Sequence, residues 1–83
     1  EWWPVTLQDL SAGGVGFLLA RRYEVGAMLS VELPLASGPP LTLSGRVVRV
    51  TPAEFGHWSY GCVFDRPLSQ QALDDAVGRR GEG

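Results

Sequence analysis

Short apolar runs with a period of two, cut apart by segments rich in Gly, Pro, Asp and Ser, constrain this chain more than any other feature. Ala27 to Leu35 shows the pattern best: Leu29, Val31, Leu33 and Leu35 share one side, and Met28, Ser30 and Glu32 the other. Such alternation marks a strand with one face buried. Trp2 to Leu7 reads as a further strand, with Pro4 suited to an edge or a strand start, and Val15 to Ala20 as its return. Between them, Gln8 to Gly14 supplies turn chemistry: Asp and Ser bond their own backbone two residues on, and the Gly13-Gly14 pair permits positive φ. Ala36-Ser37-Gly38-Pro39-Pro40 is a second turn, and Leu41 to Thr51 a long strand. Within it Leu41, Leu43 and Val47 share one parity while Val48 and Val50 take the other, so a bulge or bend is expected at Gly45. Pro52 to Gly56 reads as loop, and His57 to Asp65 as the fifth strand, with Trp58, Tyr60, Cys62 and Phe64 on one face.

The period then changes. Leu68, Ala72, Leu73, Ala76 and Val77 follow helical spacing. Ser69 is placed as N-cap, Leu68 and Leu73 as a hydrophobic staple, and Gly78 as the stop, with residues 79–83 a frayed tail. A helix this short must dock on the sheet to persist. The expected fold is therefore all-β: a small antiparallel barrel or half-barrel of about five strands with a short C-terminal helix. The 83 residues form a single domain, 1–83.

Charge and chemistry narrow the function classes. Seven basic residues face nine acidic ones, a net charge of −2, which argues against binding of bulk nucleic acid but leaves room for a small anion. All the basic residues are Arg, which is read either as codon usage or as a choice of guanidinium forks for phosphate and base recognition. No apolar run reaches the roughly 18–20 residues of a membrane span, and the start does not read as a signal peptide. The lone Cys62 excludes an internal disulfide and fits a reducing cytoplasm. One histidine, His57, and no clustered carboxylates propose no metal site. No nucleophile has a base beside it, Asp74-Asp75 reads as a solvated face, and no catalytic residue is assigned: a binding module is expected rather than an enzyme.

The most informative stretch is Asp9-Leu10-Ser11-Ala12-Gly13-Gly14. This D-x-S-x-x-G pattern between two strands resembles the signature of PilZ domains, bacterial signalling modules that bind cyclic di-GMP. Gly26 to Val31 (Gly-x-x-Leu-x-Val), Gly45-Arg46-Val47-Val48 and Tyr60-Gly61-Cys62-Val63-Phe64 are similar to further stretches of the family, and the resemblance runs from residue 5 to about 77. It implies that Asp9 and Ser11 hydrogen-bond guanine, and that Gly14, with Gly13, lets the backbone approach the ligand. An ionised carboxylate accepts the adjacent N1–H and N2–H donors of guanine together, a charge-assisted pair of bonds. No cofactor is implied beyond cyclic di-GMP as ligand.

Asp9 and Ser11 are equally placed to cap the turn instead. The family's upstream R-x-x-x-R motif has no counterpart in the eight residues before Asp9, none of which is basic. That fits either a truncated receptor or a degenerate module that binds no nucleotide and contacts proteins instead. Arg21 and Arg22 are the candidate phosphate contacts; Arg46 and Arg49, of opposite parity, are expected to leave at most one on any face. Trp2 and Trp3 are expected to point to opposite faces, one of them toward a ligand or partner. With the family's first strand absent, the strand at Trp2 to Leu7 is expected to expose an edge and to promote self-association.

Overall fold

A computed structural model describes the fold of residues 3–82 and the side chains of residues 3–76, so the reading of Trp2 lies outside the described residues. Five strands precede one helix: β1 (Thr6–Leu10), β2 (Gly14–Leu19), β3 (Met28–Leu35), β4 (Gly38–Pro52), β5 (Trp58–Phe64) and α1 (Gln70–Glu82). A single 3-10 turn, Glu54–Gly56, joins β4 to β5. All pairings are antiparallel and the order is β1-β2-β5-β4-β3, a curled half-barrel whose edges are β1 and β3.

The alternation does what a period of two requires. Val15, Phe17, Leu19, Leu33, Val47, Tyr60, Cys62 and Phe64 turn inward, and Leu68 and Ala76 cover one end of the core from the helical segment. The Tyr60 ring is fully buried against Phe17, with centroids 5.3 Å apart. Its hydroxyl accepts from the N–H of Tyr23 and donates to the carbonyl of Arg21, each at 2.6 Å. A buried phenol needs such partners, and here they tie the β2–β3 connection to the central strand. The amide of Ala72 donates to Ser69 Oγ at 3.1 Å, as the N-cap reading requires.

Several boundaries differ from the sequence reading. β1 starts at Thr6 and continues through Leu10, because Leu10 packs against the core opposite Val15 and carries Asp9 into the ladder. The turn shrinks to Ser11, Ala12 and Gly13. Gly38, Pro39 and Pro40 belong to β4 rather than to a turn; they lie beyond its pairing with β5, where a proline removes no ladder bond on that side. The irregularity in β4 falls between Val47 and Arg49, not at Gly45. Val48 is the extra residue, exposed, while Val50 returns to the inner side. The helix passes through Gly78 to Glu82, since one glycine inside a helix costs only about 1 kcal/mol against alanine. Asp75 is not merely solvated: it accepts from the amide and hydroxyl of Ser37 at 3.2 and 2.8 Å, fastening α1 to the β3–β4 turn.

Candidate functional site

The sheet has two faces of different character. The inner one leaves an apolar trough of about 1100 Å³ at the open side, lined by Trp3, Leu7, Phe17, Leu29, Val31 and Ala76 among others. The outer one carries Asp9, with Ser11 in the turn that follows.

Two bulges decide what meets on the outer face. The first lies between Leu7 and Asp9 in β1, the second between Val47 and Arg49 in β4. With both in place, Asp9 pairs with Gly16, Gly16 with Gly61, and Gly61 with Arg49, a single row across four strands. A Cβ built on Gly16 would stand 3.5 Å from Asp9 Cβ, and one on Gly61 would stand 3.3 Å from a terminal nitrogen of Arg49. Both charged side chains therefore lie on the outer face, one from each end, over a floor of two glycines. Arg46 shares that face: it pairs with the exposed Val63 and borders a shallow depression of about 270 Å³ with Met28, Phe64 and Asp65. The opposite parities of Arg46 and Arg49 in the sequence are cancelled by the extra residue at Val48.

The carboxylate of Asp9 is exposed and makes no hydrogen bond or ion pair among the described residues; the one ion pair there is Arg22 with Glu24. Asp9 thus does not cap the turn. Ser11 does so through its backbone, whose N–H donates to Gly14 O at 2.9 Å. Its hydroxyl stands 3.4 Å from the same carbonyl, longer than an ordinary O–H···O bond. The turn itself is held firmly: Phe64 N–H donates to Gly13 O at 2.9 Å and Leu68 N–H to Ala12 O at 2.7 Å.

The glycines of the motif work differently from the expectation of positive φ. Among the described residues positive φ occurs at Gly26, Gly56 and Phe55 only. Gly14 is required by close approach of strands: a Cβ there would lie 2.4 Å from the carbonyl oxygen of Cys62. At Gly13 a Cβ would meet open space.

Arg21 and Arg22 sit past the far end of β2, several strand residues from Gly16 and the carboxylate beside it. Arg21 lies over the rings of Trp3 and Tyr23, at 4.9 and 5.6 Å from their centroids, and Arg22 over Trp58 at 5.1 Å. Both guanidiniums are thus engaged with aromatic faces. Sequence parity conceals Arg49, and only its register against Gly61 reveals it.

Cys62 is buried in the inner face, and burial pushes its thiol up from the ordinary 9.0 to about 11, the mark of an inert packing residue. No helix among the described residues is long and apolar enough to cross a membrane. Comparison with curated proteins and with solved structures gives no match, whereas the family model of the PilZ domain matches residues 1–78. The half-barrel, the D-x-S-x-x-G turn and that match agree, and the chain belongs to the PilZ domain family.

Proposed function

We propose that this domain is a receptor for cyclic di-GMP that binds its ligand on the outer face of the sheet and passes the signal to a protein partner. PilZ domains are generally cyclic di-GMP-binding signalling modules rather than enzymes. The observation that carries the reading here is the free carboxylate of Asp9, exposed near the end of β1 beside Gly16 and next to a rigidly tied turn. A carboxylate without a protein partner keeps both oxygens for the N1–H and N2–H of guanine. The Ser11 hydroxyl is the second ligand contact, and Gly14, with Gly13, lets the backbone of the turn come close to the ligand. The same reading includes self-association through the unpaired edge of β1.

Isothermal titration of the chain with cyclic di-GMP tests the reading. The wild-type chain is expected to bind, and Asp9→Ala to lose binding with little change in melting temperature, because the side chain makes no bond within the fold. A large fall in melting temperature for Asp9→Ala would assign the residue to the turn instead. Absence of heat from a folded wild-type sample would refute the receptor.

A further inference from the structure

We infer that Arg49 is the second guanine-reading side chain of this site, set opposite Asp9 by the bulge at Val48; the inference rests on the nucleotide reading above. The glycines between the two charges are the first sign of it. A glycine inside a strand costs roughly 0.5–1 kcal/mol relative to alanine and marks either a bulge or a close approach. Gly16 has ordinary negative φ, and a Cβ there would make only normal contacts, 3.5 Å to Asp9 Cβ and 3.5 Å to Tyr60 O. Nothing in the sheet demands its bareness. Together with Gly61 it leaves no side chain between Asp9 and Arg49 along the row.

The charges at the two ends of that floor fit one base. Neighbouring strands are about 4.8 Å apart, so the α-carbons of Asp9 and Arg49 stand roughly 14 Å apart across three steps. Arg49 folds back over Gly61, bringing its guanidinium to within about one strand spacing of Gly16. The two groups approach across the floor without pairing. Guanine offers donors at N1 and N2 for a carboxylate and acceptors at O6 and N7 for a guanidinium fork, and those two sets are adjacent on the ring. Adenine offers an amino donor where guanine has O6, and an acceptor where guanine has N1–H. It would face the guanidinium with a donor and the carboxylate with a lone pair. The row Asp9–Gly16–Gly61–Arg49 therefore selects guanine. Arg46, three residues back on the same outer face, supplies charge for phosphate without reading the base.

Titrations of wild type, Arg49→Met, Arg46→Met, Gly16→Ala and Asp9→Asn with cyclic di-GMP and cyclic di-AMP test the assignment, with thermal melts confirming the fold of each. Arg49→Met keeps the apolar stem and removes the fork; its affinity for cyclic di-GMP is expected to fall about tenfold or more, and its preference over cyclic di-AMP to collapse. Arg49→Lys restores charge but not the two-pronged contact, so the preference is expected to stay low. Arg46→Met is expected to weaken both ligands alike, and Gly16→Ala to fold normally yet bind less by raising the floor. If Arg49→Met and Gly16→Ala keep wild-type affinity and preference while Asp9→Asn fails to bind, the receptor stands and Arg49 has no part in it. If folded wild-type chain binds neither ligand, both the receptor and the assignment fall.

Discussion

Gly14 occupies a point where two backbones nearly touch. Its missing Cβ would lie 2.4 Å from the Cys62 carbonyl, an atom that cannot turn aside because it belongs to the central strand. Gly14→Ala is therefore expected to destabilise the domain at the upper end of the about 1–3 kcal/mol typical of overpacking. Gly13→Ala, facing open space, is expected to change the urea midpoint little. Paired urea melts of the two variants distinguish a glycine kept for the sheet from one kept for the turn. The contrast sharpens the meaning of the motif: one of its glycines is a condition of folding, while its Asp is a free group. Tyr60 belongs with Gly14. Its hydroxyl closes two backbone bonds at the other end of the same strand, so β5 is tied to its surroundings at both ends.

At the scale of elements, the edges and the bulges matter most. β1 and β3 each have one unpaired side. β3 carries Pro34 and Glu32, the kind of residues that discourage edge pairing, whereas β1 carries only Asp9 as a charge. Pairing of β1 with its copy about a two-fold axis satisfies the same backbone groups in both chains. Light scattering is thus expected to show concentration-dependent association, and Val5→Lys, at an exposed position beside this edge, to shift it toward monomer. A strict monomer at high concentration in the wild type would remove the proposed edge pairing. Sequence alone conveyed five strands, their inward faces and the cap of the helix, since period, β-branched runs and a serine placed before helical spacing are local signals. It read a bulge in β4 from the change of parity but placed it at Gly45 rather than at Val48, because the register between two strands, not either strand alone, fixes where the extra residue falls. The same blindness hid Arg49 and drew attention to Arg21 and Arg22, which the fold engages with aromatic rings. Asp9 was legible as a candidate from its motif, but its freedom from any cap became visible only when Leu10 was seen to pull it into the ladder.

For the molecule as a whole, one open half-barrel has to hold a small core without a covalent staple. Cys62 reports on that core. Folded, it keeps its proton up to about pH 11; unfolded, it releases it near 9.0. The folded state thus holds the extra proton between those values, and its stability is complete below about pH 9 and falls as pH rises through 11. Each pH step across that window removes at most about 1.4 kcal/mol, so the whole loss is at most roughly 2–3 kcal/mol. Urea melts at about pH 7.5 and about pH 10.5, one below the window and one inside it, are expected to show this loss in the wild type and a smaller one in Cys62→Ala. Equal losses in both would discount the thiol. The seal over this thiol has a use of its own. Because the sulfur sits buried in the inner face, an alkylating reagent reaches it only when the core around β5 opens. With no second cysteine to compete, the rate of modification becomes a clock for the opening of the core, and a ligand gripping the outer face would slow it without touching the sulfur.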